Sequence, residues 1–307
     1  MQMSHPIFTR SNTGPPVTGA GGSGRRTEIG APEPFVVGPP VHRPRQFFGR
    51  QAVLQQIFSL FQTVPMRHAL IYGPRRSGKT SLLYYLSLIT TTRPADLRPN
   101  QRADWLARPA RYRWILVNFH DPHLRRRQAL FAHILSHLDL QPPANCDLTT
   151  FLDLASQQIR FPTILMLDGL NAARLSTELD GEFWWGLRSL ATSLTGGSLS
   201  CLLTADLPLV ESGAESAFLN LFHHKIQLGP FTEEEARELI ASAPLPFPHA
   251  DVEWILRESG RWPALLQKMC AARWQALQKH APDPEEWKRE SLEFARRMAF
   301  LFGDSPL

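Results

Sequence analysis

The chain has 307 residues and a formal net charge of +5, with 43% hydrophobic and 20% charged residues. That balance suits a soluble globular protein of one large or two moderate domains with a sizeable core. No apolar run approaches the roughly 18 residues of a membrane span, and the opening MQMSHPIFTR has no apolar signal region. Cys146, Cys201 and Cys270 lie too far apart for a metal-type spacing or a paired disulfide set. A cytoplasmic location away from membranes is therefore expected, and the positive charge admits an acidic partner without demanding one.

Residues 1–45 are rich in proline and glycine, with GAGGSGRR and VGPPVHRPR among them, and read as a disordered tail. From Phe47 the texture changes. Val53, Leu54, Ile57, Leu60 and Phe61 recur at helical spacing. HALIYGP reads as a strand broken by a Gly-Pro loop, and SLLYYLSLIT as the helix after it. YRWILVNFHD, FPTILMLDG, SLSCLLTAD and HKIQLGP read as further strands. RRRQALFAHILSHL and GEFWWGLRSLATSL are the helices between them. Alternating strands and helices predict a parallel sheet covered on both faces, three αβα layers with about five strands. After Pro230 the strands stop, and TEEEARELIASA, DVEWILRESG, WPALLQKMCAARWQALQK and DPEEWKRESLEFARRMAFLF all read as helices. Thr232 is placed to cap the first of them, and Asp283 the last, with Pro284 in its first turn. The expected domains are a tail at 1–45, an α/β core at 46–230 and an α-helical lid at 231–307.

GPRRSGKTS matches G-x-x-x-x-G-K-[ST], with a strand before it and a helix after it, as a phosphate-binding loop requires. The predicted ATP-binding residues are Gly73, Pro74, Arg75, Arg76, Ser77, Gly78, Lys79, Thr80 and Ser81. The glycines let the backbone curl around phosphate, and the helix N-terminus adds its positive end. Lys79 is placed to neutralise the β and γ phosphates, and Thr80 to offer its hydroxyl to Mg²⁺. Asp168, at the end of the buried strand TILMLD, is the second candidate metal-side residue. ATP and Mg²⁺ are the expected cofactors.

With these residues in place the chain resembles the AAA+ and STAND class of P-loop ATPases, closest to the origin-recognition-like and bacterial STAND branch. FFGR resembles the motif that family carries ahead of its first helix, near adenine, which adds Phe48, Gly49 and Arg50 to the ATP-binding set. LLTAD resembles its sensor strand, with Thr204 at the polar sensor position. LGPFTEEEARELI resembles the junction into its lid. ESGRWPALLQ resembles the turn whose proline packs by the base, here Pro263. The resemblance covers roughly residues 47 to 280 and implies Lys79, Asp168 and Thr204 as catalytic. It also implies homo-oligomerisation on ATP and, with no output domain recognisable, a separately encoded effector.

One departure bears on activity. The acidic residue that follows the strand-end aspartate in many such ATPases is Gly169 here. ATP binding with slow or partner-stimulated hydrolysis is therefore expected, and whether the chain is a working enzyme stays open. Asn171, Asp206, Glu178, Asp180 and Glu182 are candidate substitutes for the missing group, and Gly169→Glu is expected to raise turnover. Arg188 and Arg261 are candidate fingers. Arginines also cluster between the phosphate-loop helix and the second strand and again just after that strand. Arg102, Arg108, Arg111, Arg125, Arg126 and Arg127 are candidate contacts for DNA, RNA or an anionic partner, against the alternative of a solvated surface. A nucleic-acid-loading regulator and a non-hydrolysing, ATP-stabilised scaffold are the competing functions. Of Trp184 and Trp185, one is expected inside and the other is a candidate interface residue.

Overall fold

A computed structural model describes residues 34–206, 213–279 and 283–299. Strands β1 (Ala69–Gly73), β2 (Arg113–Asn118), β3 (Thr163–Asp168), β4 (Leu199–Asp206) and β5 (His224–Gln227) form one parallel sheet. Their order is β2-β3-β4-β1-β5. β3 is buried along its whole length, and its side chains alternate between two cores, as the two-residue period of a strand requires. Ile164 and Met166 face helices α1 (Gln51–Phe61) and α2 (Lys79–Ile89) through Ile57, Leu82 and Leu86. Leu165 and Leu167 face α3 (Arg127–His137), α4 (Leu148–Gln158) and α6 (Gly181–Ser189) through Phe131, Phe151 and Trp184. This is the three-layer αβα fold of P-loop NTPases, followed by an α-helical region.

Short one-turn helices, α5 (Leu170–Ala173) and α7 (Ser216–Leu219), follow β3 and precede β5. The period analysis passes over α4. That helix is fixed at its start by Asp147, whose carboxylate accepts the Thr150 N–H at 2.8 Å. It is fixed in the core by Phe151, stacked on Phe131 at 4.3 Å between ring centres.

Four helices follow the sheet: α8 (Glu233–Ile240), α9 (His249–Glu258), α10 (Pro263–Lys279) and α11 (Glu286–Met298). They share a core that includes Ile240, Ile255, Leu266 and Trp287. Thr232 caps α8 in a full capping box with Glu235. The assignment of Asp283 to the cap of α11 needs correction. α11 starts at Glu286, and the Asp283 carboxylate instead accepts the Glu285 N–H at 2.9 Å, in the turn before the helix. The expected apolar end Phe300, Leu301 and Phe302 lies outside the described residues, as do residues 1–33.

Residues 34–45 differ from the expected disordered tail. Phe35 is buried in the helical core against Phe247. The Val36 N–H donates to Gln267 Oε1 on α10 at 3.0 Å, and the Val41 N–H donates to Ser81 Oγ on α2 at 3.0 Å. One phenylalanine and two backbone hydrogen bonds thus turn a proline-rich stretch into a strap that touches the sheet domain and the helical region alike.

Candidate functional site

The sheet order puts β4 between β1 and β3, so the carboxyl ends of these three strands form one ledge. In an open parallel sheet that ledge is where ligands bind. Register sets Gly73 beside Asp206 and Asn118 beside Asp168. Above the ledge, between sheet and helices, lies a cleft of about 590 Å³, a size ordinary for a small-molecule site. Of the sequence-predicted residues, Phe48, Arg50, Arg75, Arg76, Ser77, Gly78, Lys79, Thr80, Ser81, Asp168, Thr204 and Pro263 all line it.

The loop after β1 takes its shape from tight approaches. A Cβ at Gly73 would lie 2.6 Å from the Leu228 carbonyl oxygen, so only glycine fits there. Gly78 holds φ of 98° at the start of α2. Lys79 is nearly buried. Its ammonium donates to the carbonyls of Gly73 and Pro74, each at 2.8 Å, and pairs with Asp206 at 2.9 Å. Arg75 also approaches Asp206, at 3.7 Å. Pro74 and Gly73 therefore serve the lysine through their carbonyls.

Asp168 is 2% exposed, and hydroxyls engage both its oxygens. Thr80 Oγ1 donates to Oδ2 at 2.8 Å and Thr204 Oγ1 to Oδ1 at 2.6 Å. The Gly169 N–H closes the set by donating to Thr204 Oγ1 at 2.8 Å. A buried carboxylate beside a helix-start hydroxyl is a hard-oxygen donor set of the kind Mg²⁺ takes, with water completing its shell. Among the described residues there is no group of three or more His, Cys, Asp or Glu side chains that could hold a metal on its own.

Arg50 ties the site together. Its guanidinium donates to the carbonyls of Ser77 in the loop and of Gly229 and Pro230 at the junction to the helices. It also lies 4.8 Å over the Phe231 ring. Burial pulls this guanidinium below its ordinary pKa, and the Glu235 carboxylate opposes that shift. Gly49 is packed so closely on Glu235 that a Cβ there would meet its carboxyl carbon at 2.7 Å. Phe48 lies under the Arg98 guanidinium, 3.8 Å from its ring centre.

The candidate substitutes for the missing acid are otherwise occupied. Asn171 Oδ1 accepts the Asp206 N–H at 2.8 Å. Glu178 and Asp180 accept hydrogen bonds from Arg127, and Glu182 lies 3.7 Å from it. The residue that stands against Gly169 is one the sequence reading missed, His120, just past β2. It lines the cleft with Asp168 and Lys79.

The arginine cluster divides. Arg102 is paired with Asp104 at 2.7 Å and stacked on Trp105. Arg127 is held by the acids of the α5–α6 connection, and Arg126 approaches His123 Nδ1 at 3.1 Å. These three have internal partners. Arg108, just before the short turn Pro109–Arg111, and Arg111, at its end, are exposed, and Arg125 is half-buried. Arg188 donates to the Ala217 carbonyl at 2.6 Å. Trp184 is 2% exposed and Trp185 58%.

No family model matches the sequence, and no curated protein does. Solved structures do. A Walker-type ATPase of Pyrococcus abyssi superposes with a TM-score of 0.58 at 18% identity, over 85% of this chain and 76% of that one. Cdc6p of Pyrobaculum aerophilum gives 0.58 at 16% identity, over 84% and 70%. The Orc1 protein of Aeropyrum pernix, solved in complex with DNA, gives 0.55 at 14% identity, over 85% and 66%. What the chain shares with these three structures is the fold, a parallel sheet between helices with further helices behind it.

Proposed function

We propose that the chain is an ATP·Mg²⁺-binding ATPase of the AAA+/STAND class, closest to its origin-recognition-like and bacterial STAND branch, that acts as a nucleotide-dependent switch. One observation carries this reading. The phosphate loop, the Asp168–Thr80 pair and Pro263 at the start of α10 border a single cleft between sheet and helices. A nucleotide in that cleft touches both parts and so favours one relative arrangement, which is the differential contact a switch needs. Lys79 exchanges Asp206 for phosphate oxygens, and the loop N–H groups hold the rest of the charge. Thr80 and Asp168 would hold Mg²⁺, which would supply positive charge to offset the negative charge developing in phosphoryl transfer. Thr204, bonded to Asp168 and Gly169, orients that pair. With Gly169 in place of an acid, hydrolysis is slow or partner-stimulated. The output is a homo-oligomer formed on ATP that engages a separately encoded effector, in the cytoplasm, where the three buried free cysteines stay reduced.

Lys79→Ala is expected to abolish binding of a fluorescent ATP analogue in the presence of Mg²⁺, and with it any ATP-dependent rise in mass by light scattering. Unchanged affinity in that variant overturns the site.

A nucleic-acid-loading role is the second reading, favoured by the exposed pair Arg108 and Arg111. In gel-shift assays, Arg108→Ala/Arg111→Ala is expected to weaken DNA binding uniformly across sequences and to lower its salt slope by about 2. Binding that ignores salt excludes this reading.

A further inference from the structure

We propose that the His120 imidazole is a catalytic residue that takes the place of the absent acid at position 169, accepting a hydrogen bond from the water that attacks the γ-phosphate. This inference rests on the ATPase reading above and adds the group that reading lacks.

The observation is one of shared volume. Gly169 has φ of 88°, and a Cβ built on it would lie 2.7 Å from His120 Nε2 and 3.1 Å from its Cδ2. An acidic side chain following Asp168 would begin in that space; here the ring of His120 fills it. His120 is exposed at the cleft, and the backbone that carries its ring is fixed. Phe119 is fully buried, and its N–H donates to the Asp168 carbonyl at 2.9 Å. The His120 N–H donates to Asn118 Oδ1 at 2.9 Å. The end of β2 is thus tied to the end of β3, and the residue between Phe119 and Asp121 is carried to the cleft edge.

Availability separates His120 from its neighbours. Asp168 gives both oxygens to Thr80 and Thr204. Asp206 faces Lys79 and Arg75. Asn171 Oδ1 takes a backbone N–H, and the Asp121 carboxylate takes the His123 N–H at 2.8 Å. Among the described residues neither ring nitrogen of His120 has a hydrogen-bond partner. Nε2 is therefore free to accept a proton when the ring carries its own on Nδ1.

In the step assigned to it, a lone pair of the water oxygen forms a bond to Pγ. The bond between Pγ and the bridging oxygen breaks, and its electron pair leaves with ADP. One water proton passes to Nε2 and returns to solvent as phosphate departs. The products are ADP and inorganic phosphate.

The test uses the full chain and the variants His120→Ala and His120→Gln. The second preserves volume and polarity without a basic nitrogen, and covers the case in which the alanine variant does not fold. Both are expected to bind the fluorescent ATP analogue with Mg²⁺ as the wild type does. Their single-turnover hydrolysis is expected to fall by about 10²-fold. A second readout is independent of turnover. Ring ¹⁵N signals of His120, assigned by their loss in His120→Gln, are expected to shift with Mg²⁺, ADP and aluminium fluoride but not with Mg²⁺ and ADP alone. Unchanged turnover in both variants overturns the proposal, and so does a ring signal that answers the two mixtures alike. A wild type that binds ATP but never hydrolyses it overturns the role of His120 and leaves the binding site standing. A wild type that binds no nucleotide overturns both.

Discussion

A side chain at position 169 would have to adopt a left-handed backbone and share its first carbon's space with an imidazole. Gly169→Glu is therefore expected to lose about 1–3 kcal/mol of stability through the strained φ alone. It is also expected to lower turnover by pushing His120 aside, in contrast to the gain the sequence suggests. Urea midpoints and single-turnover rates check both statements, and a faster, equally stable variant refutes them. The strand, tight loop and helix around Gly73–Thr80 were legible from spacing because they lie within one short run. His120 was not, because its partner Gly169 belongs to another strand, and only the order β2-β3-β4 makes them neighbours. Periodicity carries no information about which strand ends meet. Arg127 shows the same limit from the other side. Its charge was visible in the sequence, but the acid that absorbs it, Asp180, lies 53 residues away and could be paired with it only in space.

At the scale of elements, one carboxylate fixes the start of two helices. Glu235 Oε2 accepts the Thr232 N–H at 3.1 Å, and Oε1 accepts the N–H of Arg50, the residue preceding α1. Arg50 itself holds φ of 65°. Glu235→Ala is expected to cost about 1–2 kcal/mol, the upper part of the range for a lost cap, because two donors lose their acceptor. Glu235→Gln is expected to recover part of that. Equal urea midpoints for wild type and the alanine variant would count against this double role. The Thr-x-x-Glu pattern of α8 was readable locally, whereas its second task was not. α4 escaped notice because it is fixed by its Asp147 cap and by packing on α3 and α6, and its sequence buries only Phe151 and Ala155.

For the whole molecule, acid sensitivity is set at the other end of the sheet from the cleft. His68, just before β1, accepts the Cys201 N–H on Nδ1 at 3.0 Å. Burial, with His223 adding to it, lowers its pKa from 6.5 to about 4. The folded protein keeps this ring neutral in a range where the unfolded chain takes up a proton. Its contribution is complete above pH 6.5, declines as pH falls, and is fully lost below about 4. The total is of order 3 kcal/mol. Urea midpoints across that window should fall for the wild type and fall less for His68→Gln; parallel curves would place the acid sensitivity elsewhere.

The strap formed by residues 34–45 has a kinetic consequence. It borders the cleft through Val36, Gly38, Pro39, Pro40 and Val41 and is fastened at Gln267 and at Ser81. On the proposed reading, a nucleotide in the cleft would enter and leave only when those fastenings open. Gln267→Ala is expected to shorten nucleotide residence time, measured by chase with unlabelled ATP, and to speed association as well, since both directions pass the opened strap. An unaltered dissociation rate would show that the strap does not gate release. On the proposed ATPase reading, the strap would then set how long a nucleotide stays, and the strand-end ledge below it would set how fast that nucleotide is hydrolysed.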